Sequence, residues 1–343
     1  MQRIQFIQPE EFNVLRSTNP EIQIFELWKN ELSEWEKNEI TLGPFKYSIT
    51  EFLVWGDTKV PEQCQAIYYP WQNKVVFTFG RDVFNSLVTV RNKLKITNAE
   101  QEELKHKVVG VVGLSVGFQV VKAIVMSNLC GKIRIADFDD VEITNLNRLD
   151  SGIFNIQRSK TEIAYRWIVE QNPFINVEVF DRGVSNENLT DFIKGFNQKL
   201  DVLIDECDNL LIKVLLRKEA LKSSIPVIMH TSDRGMLDVE NFSISTEPFE
   251  FSFLKYASFS DAEILENAPH IIADICDLKA ASENSKMSFM QIGKTLRSWP
   301  QLAEDVVSGG GNVATAVRLL LLGKKLKSQR IQMSPEIYLD IEN

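Results

Sequence analysis

The sequence predicts an α/β protein with a doubly wound, mostly parallel, Rossmann-like sheet. The apolar, β-branched run at 108–112 is typical of a strand that is buried on both faces. Gly113 and Gly117 then interrupt this run and lead into a helix, so the local order is strand, glycine loop, helix. A second apolar run, at 133–136, ends on Asp137, about 24 residues past Gly113. This is near the spacing at which a βαβ unit points a carboxylate at a nucleotide ribose.

The length of the chain favours two domains. A chain of 343 residues is too long for one ordinary domain, and its 44% apolar content is sufficient for a sizeable core. We expect a small α+β domain of unknown role at 1–95 and the nucleotide-binding fold at 96–343. In the first domain, aromatic residues at helical spacing predict an amphipathic helix over 21–37, and the apolar runs at 66–70 and 74–79 predict a β-hairpin.

Composition excludes several classes of protein. The net charge of −9 argues against nucleic acid and anionic membranes as partners. The first residues lack the apolar core of a secretion signal, and no run reaches the roughly 18 apolar residues of a membrane span. We therefore expect a cytoplasmic protein. The four cysteines form no CxxC pair, so the sequence indicates neither a structural zinc site nor a disulfide framework.

A polar segment follows Asp137 at the predicted carboxyl edge of the sheet, where open α/β sheets bind their ligands. Its polar side chains are Asp139, Thr144, Asn145, Asn147 and Arg148. A triphosphate requires fixed hydrogen-bond donors and positive charge, whereas a nicotinamide enzyme has no need for such a loop at this edge.

The segment DFDDVEITNLNR resembles the D-x-D…S/T-N-L-x-R signature of the ThiF/MoeB family, ATP-dependent adenylyltransferases related to the ubiquitin-activating enzymes. The resemblance extends from about residue 91 to the C-terminus. It is strongest to a branch that carries GLSVG in the glycine loop, ECD after a later strand, and SWPQLA near the end. Many members of that branch continue into a nitroreductase-like flavin domain, which implies a possible flavin partner in trans.

The resemblance also implies the roles of individual residues. Asp137 would hold the ribose, Asn145, Arg148 and Lys160 the phosphates, and Asp208 the Mg²⁺ of MgATP. Arg91, with Lys93 as the second choice, would reach the ATP site of the neighbouring subunit of a homodimer. The expected nucleotide-binding set is Gly113, Ser115, Gly117, Asp137, Asp139, Thr144, Asn145, Asn147, Arg148, Lys160, Asp208 and Asn209, and the expected catalytic set is Arg148, Lys160, Asp208 and Arg91.

Three of these residues have alternative structural interpretations. Ser159 and Glu162 form a predicted capping box, which places Lys160 in the first turn, where a cation is unfavourable unless an anion shares the site. Lys160 could otherwise be a solvated surface lysine. Asp208 could be the N-cap of the helix that begins near Leu210. Arg91 could lie at a solvated, charged helix end.

Two stretches depart from the family pattern. The glycine loop reads Gly113-Leu-Ser-Val-Gly117-Phe, which replaces several of the usual glycines, so either the loop runs differently or nucleotide binding is weakened. Residues 247–298 differ from the short ThiF proteins. Farther on, the sequence predicts a loop at Gly309–Gly311 and an apolar helix at 313–322.

The function that the resemblance implies is activation of a carboxylate as an acyl-adenylate, with ATP and Mg²⁺. The acceptor would be the C-terminus of a ubiquitin-like sulfur carrier, or a peptide. Two alternatives stay open. A dinucleotide-dependent oxidoreductase would leave Arg148, Lys160 and Asp208 without a role, and a non-catalytic nucleotide-binding scaffold would be consistent with the altered glycine loop.

Overall fold

The computed structural model describes residues 1–231, 233–278 and 281–339. Residues 232, 279–280 and 340–343, which belong to the predicted second domain, lie outside the described residues. The chain folds into two compact units, Met1–Ala99 and Glu100–Asn343. Sequence analysis placed this division at 95/96.

The first unit, described throughout, consists of one mixed sheet with short helices. Its elements are β1 (Gln5–Ile7), α1 (Pro9–Thr18), β2 (Gln23–Glu26), α2 (Leu27–Lys37), α3 (Glu39–Leu42), β3 (Phe52–Trp55), β4 (Thr58–Pro61), β5 (Cys64–Tyr69), β6 (Lys74–Phe79) and α4 (Arg81–Val88). The sheet has the order β1-β5-β6-β2, and β3 and β4 form a separate hairpin. Phe12, Trp55 and Phe77 pack edge to face in the core.

Two predictions for this unit have different outcomes. The hairpin is confirmed, since β5 and β6 pair antiparallel. The helix over 21–37 is correct only from Leu27 onward. Residues 23–26 form β2, which pairs parallel with β6, and Phe25 lies there with half of its surface exposed. Pairing with the free edge of β6 outweighs the helical spacing of one aromatic side chain.

The second unit is an α/β fold. Its elements begin with α5 (Asn98–Leu104), which contains the division point, and continue through β7 (Val108–Val112), α6 (Gly117–Met126), β8 (Lys132–Ala136), α7 (Lys160–Gln171), β9 (Asn176–Phe180), α8 (Leu189–Lys194), β10 (Val202–Asp205), α9 (Leu210–Ser223), β11 (Val227–Thr231), β12 (Met236–Glu240), α10 (Asp261–Glu266), α11 (Ala268–Ile275), α12 (Glu283–Gln291), α13 (Ala303–Leu321) and β13 (Gln329–Gln332). No helix in the described ranges is long and apolar enough to cross a membrane.

The sheet order fixes where a ligand can bind. Among the described strands the order is β13-β12-β11-β10-β7-β8-β9. The five strands from β11 to β9 in this order are parallel, β12 pairs antiparallel with β11, and β13 pairs antiparallel with β12. The chain runs outward from β7 through β8 to β9, and then returns to β10 on the other side of β7. The carboxyl ends of β7 and β10 therefore border the switch point at which open α/β sheets bind ligands. The predicted fold class is confirmed.

The predicted loop at Gly309–Gly311 is wrong. These glycines lie within α13, a continuous helix of 19 residues that packs along α6. A Cβ atom on Gly309 would lie 2.2 Å from Cε1 of His230, and one on Gly310 would lie 2.8 Å from backbone atoms of Gln119. The glycines permit close helix packing here, and they do not end the helix.

Candidate active site

The two glycines that the loop retains are those that its geometry requires. Gly113 has φ +88°, a left-handed conformation, and a Cβ atom there would lie 2.5 Å from the carbonyl oxygen of Glu206. Gly117 begins α6, and a Cβ atom there would be 3.0 Å from a methyl group of Val111. Between them, the side chains of Leu114 and Val116 are buried. The side chains that replace the usual glycines at these two positions therefore pack in the core and leave the outer surface of the loop open.

Asp137 fixes the glycine loop against the end of β8. One of its carboxylate oxygens accepts a hydrogen bond from the Leu114 backbone N–H at 2.6 Å, and the other accepts from the Asp139 N–H at 2.8 Å. Burial raises the pKa of the Asp137 carboxyl, although the charge of Lys160 and these two hydrogen bonds oppose the shift. The two carboxylate oxygens of Asp137 therefore tie the glycine loop to the segment that follows β8.

Lys160 is the first residue of α7, as predicted, and its side chain is buried rather than solvated. Its ammonium group lies 2.7 Å from the carboxylate of Asp139, which is half exposed. The predicted capping box is wrong, because the Ser159 hydroxyl contacts that of Thr161 and does not cap the helix. The Lys160 ammonium thus lies at a helix N-terminus, where an anion is favoured, and it interacts with the Asp139 carboxylate and with the charge of Asp137.

Arg148 joins the polar loop to the glycine loop. Its guanidinium donates to the Ser115 hydroxyl at 3.2 Å, to the Thr144 carbonyl at 3.1 Å and to the Asn147 side chain at 2.9 Å. Burial lowers the pKa of Arg148, and the negative charge of Asp208 opposes that shift. The structure thus brings Arg148 into electrostatic contact with the carboxylate that the resemblance assigns to the metal.

The remaining polar residues of the predicted set have structural contacts. The buried Asn145 side chain accepts from the Glu142 N–H, and the Thr144 hydroxyl donates to the Glu142 carboxylate. Asn147 also donates to the Gln301 carbonyl at 2.8 Å. Asn209 is the N-cap of α9, since its side chain accepts from the N–H groups of residues 211 and 212. The alternative interpretation of Asp208 as this N-cap is therefore wrong.

A cavity of about 260 Å³ opens at this edge of the sheet and is lined in part by Ser115, Arg148 and Asp208. Asp208 is exposed, and no hydrogen-bond or ion-pair partner holds its carboxylate within the described ranges. Arg91 is exposed in a 3-10 helix, Val90–Asn92, of the first unit. Its action on an ATP site remains a prediction.

Comparison with known proteins identifies the family of one stretch of the chain. The ThiF family profile matches residues 90–236. This stretch is a ThiF-family domain. It contains the glycine loop, the polar loop, Lys160 and Asp208, so the resemblance to the ThiF/MoeB family is confirmed. The match ends at the start of β12, before the departing segment 247–298.

Individual relatives match this chain over only part of their own length. The uncharacterized protein MT1398 of Mycobacterium tuberculosis is 39% identical over 279 residues, which are 80% of this chain and 38% of that protein. The tRNA threonylcarbamoyladenosine dehydratase of Bacillus subtilis is 32% identical over 157 residues, 45% of this chain and 60% of the enzyme. The chain thus spans less than two thirds of the length of these relatives. A crystal structure named PaaA gives a TM-score of 0.48 at 20% identity and covers 71% of this chain and 73% of its own. A crystal structure of E. coli TcdA with ATP gives a TM-score of 0.46 at 17% identity and covers 66% of this chain and 90% of its own.

Sequence analysis missed a buried charge network beneath the ThiF site. The Asp205 carboxylate, fully buried, pairs with Lys213 at 3.2 Å and with Arg217, which also pairs with Glu240 at 2.8 Å. Burial alone would raise the pKa of Asp205, but the two cations outweigh it and hold the pKa at about 2. The signal was present, since two cations four residues apart share one face of the largely apolar α9.

Glu206, the next residue, was also missed. Burial raises the pKa of its carboxyl to about 8, against the opposing charge of Lys213, and Oε1 accepts a hydrogen bond from the His230 backbone N–H at 3.0 Å. Glu206 is therefore largely protonated at neutral pH, although it lines the cavity. The run Asp-Glu-Cys-Asp contains three carboxyl groups in three different environments.

Proposed function

We propose that this ThiF domain binds MgATP and transfers its AMP group to a carboxylate, which releases pyrophosphate and leaves an acyl-adenylate. The observation that supports this most directly is the placement of Arg148 and Asp208 on one cavity at the switch-point edge. The buried Lys160 at the N-terminus of α7 adds a second cation on the neighbouring loop. Helix N-termini and fixed cations are the usual binding elements for phosphates.

The reaction requires positioning and charge neutralisation more than covalent chemistry. A carboxylate oxygen attacks the α-phosphorus, and the bond from that phosphorus to the bridging oxygen of the β-phosphate breaks as pyrophosphate leaves. Arg148 and Lys160 would stabilise the negative charge that develops on these oxygens. The half-exposed Asp139 carboxylate lies 2.7 Å from the Lys160 ammonium, and a phosphate oxygen would replace or share this contact.

Asp208 and Asp137 have oxygen atoms suited to the remaining parts of MgATP. Mg²⁺ in nucleotide sites takes one or two carboxylates together with phosphate oxygens, and the exposed, unpaired Asp208 fits that requirement. When bound, the ion would neutralise charge on the phosphates. Each carboxylate oxygen of Asp137 accepts one backbone N–H and retains a second lone pair, which a ribose hydroxyl could use.

The acceptor class and the assembly state are inferences of the same proposal. Relatives of the matched region include MoeZ of M. tuberculosis, named as a probable adenylyltransferase/sulfurtransferase, and a ubiquitin-like modifier-activating enzyme of Caenorhabditis elegans. These names support the carboxyl terminus of a carrier protein or peptide as acceptor. We also infer a homodimer in which Arg91 acts on the partner's site, because it precedes the ThiF domain's first helix, α5.

Two measurements test the ATP site. Titration calorimetry should show tighter binding of MgATP than of NADH or FAD. In ATP–pyrophosphate exchange with candidate carboxylates, Arg148→Ala or Lys160→Ala should reduce the rate by roughly 10²–10³, the usual loss for one preorganised donor. Lys222→Ala, an exposed lysine of α9, is the matched control and should retain the wild-type rate. Preferential binding of a dinucleotide, or normal exchange in both site variants, would refute the proposal.

A further inference from the structure

The cavity has two dissimilar sides. Ser115, Arg148 and Asp208 line the side formed by the ThiF loops. The facing side is lined by Ile272 and Ile275 of α11, together with Leu278, Ala281, Ser285 and Trp299. Most of this facing side comes from the segment 247–298, which departs from the short ThiF proteins. The departing segment therefore completes a cavity against the predicted ATP-binding loops.

The far part of the cavity is largely apolar. Met229 lies in the middle of β11, and Met236 begins β12, which pairs antiparallel with β11. Phe253 and Ile275 pack with Met229 in one buried cluster. Ile272 is only partly buried because one face of its side chain borders the open space. A volume of about 260 Å³ is close to the lower end of the range for small-ligand cavities, roughly 300–1,000 Å³.

Several ionisable groups that line the interior have protein partners among the described residues. Lys213 pairs with Asp205, and Arg330 forms two hydrogen bonds of 2.6 Å with Asp238. Asp233 accepts from the backbone and hydroxyl of Ser282. The Oε1 atom of Glu206 accepts a hydrogen bond from the backbone N–H of His230 at 3.0 Å. At the end of the cavity formed by the ThiF loops, Arg148 and Asp208 have no ion-pair partner within the described ranges.

We propose that this cavity is the acceptor subsite and that it takes a compact apolar group, aromatic or branched aliphatic, bonded close to the carboxylate that is adenylated. The inference rests on the proposed function. The carboxylate would lie toward Arg148, and the apolar group would contact Phe253, Ile272 and Ile275. A diglycine terminus has no side chain and would leave this space unfilled. The departing segment 247–298 is therefore a determinant of acceptor specificity.

Binding of three probe acids tests this inference without requiring turnover. Glycylglycine, glycyl-phenylalanine and 3-phenylpropionate are titrated into the full chain by calorimetry, with and without MgATP. Burial of one aromatic side chain should make the best phenyl-bearing probe bind at least roughly tenfold more tightly than glycylglycine. Stronger binding of glycyl-phenylalanine identifies a peptide terminus as the source, and stronger binding of 3-phenylpropionate identifies a small acid. Equal or tighter binding of glycylglycine overturns the inference.

A cavity-filling variant locates the effect. Ile272→Phe should reduce the affinity for the phenyl-bearing probe to that of glycylglycine, while MgATP binding stays as in the wild type. Leu265→Phe, an exposed position of α10 outside the cavity, is the control and should keep the preference. A preference that survives in Ile272→Phe overturns the inference. MgATP binding without a phenyl preference refutes the acceptor subsite alone, whereas a phenyl preference without MgATP binding refutes the adenylation proposal.

Discussion

Helix α13 provides a sharp test of how this fold is packed. Gly310 and Gly311 are adjacent in the same helix, but their surroundings differ. A Cβ atom on Gly310 would lie 2.8 Å from the carbonyl carbon and oxygen of Gln119, which are backbone atoms of α6. A Cβ atom on Gly311 would have no atom within 4 Å. Gly310→Ala and Gly311→Ala therefore add the same methyl group with and without a steric conflict.

The magnitude follows from two opposing effects. Replacing glycine by alanine inside a helix stabilises it by about 1 kcal/mol, and this gain is common to both variants. Forcing a methyl group against backbone that cannot rotate away costs about 1–3 kcal/mol. Gly311→Ala should thus be more stable than the wild type by about 1 kcal/mol. Gly310→Ala should be less stable than Gly311→Ala by about 1–3 kcal/mol.

Native-state hydrogen exchange measures this difference in the unit that contains the helix. Amides of β7 and β10 are buried in the centre of the sheet and exchange through global opening of that unit. Their exchange should be roughly 5- to 150-fold faster in Gly310→Ala than in Gly311→Ala, since about 1.4 kcal/mol corresponds to a factor of ten. Equal exchange rates in the two variants would show that α13 does not pack on α6 as described. That result would favour the loop that the sequence predicts at Gly309–Gly311.

Two further predictions concern Glu206 and Arg91. The folded-state pKa of Glu206, about 8, exceeds its unfolded value of 4.5, so its contribution to stability is complete below about pH 4.5 and is lost as pH rises toward 8. Glu206→Gln should remove this loss of stability. Urea unfolding of the wild type and the variant from about pH 5 to 8.5 measures it, and the same decline in the free energy of unfolding in both proteins would contradict the assignment. For the homodimer, an Arg91→Ala subunit mixed with an Asp208→Asn subunit should recover part of the exchange activity that each lacks alone. No recovery after proven mixing would exclude action across the interface.

The parallel strands could be predicted because each is a short, continuous apolar run between turn signals. Val108–Val112 and Val202–Asp205 are buried along their whole length, so their sequences alternate little and resemble no surface helix. The polar residues at the strand ends then had to meet at one edge, because parallel strands share their carboxyl ends. This geometry, together with the ThiF motif, is what made the candidate site predictable.

Elements that depend on a distant partner could not be predicted in this way. Glycine has the lowest helix propensity of any residue except proline, and three of them in a row predict a loop. However, the packing of α13 on His230 and α6 requires residues without side chains at Gly309 and Gly310. Phe25 similarly follows a helical spacing but lies in β2, because the edge of β6 is available to pair with it. In both cases a tertiary contact outweighs the local pattern, and the sequence window does not contain that contact.

The same reasoning explains why motif spacing alone could not assign the carboxyl groups of the run 205–208. Asp205 ends a buried strand and faces Lys213 and Arg217, which lie on the next helix and neutralise it. Glu206 is largely protonated because it is buried in the cavity wall. Asp208 lies farther past the end of the strand, is exposed, and has no ion-pair partner among the described residues. The carboxylate free to bind a metal ion is therefore identified by elimination, because two cations engage Asp205 and burial keeps Glu206 largely protonated. For Asp205, the two cations of α9 carry that information in the sequence.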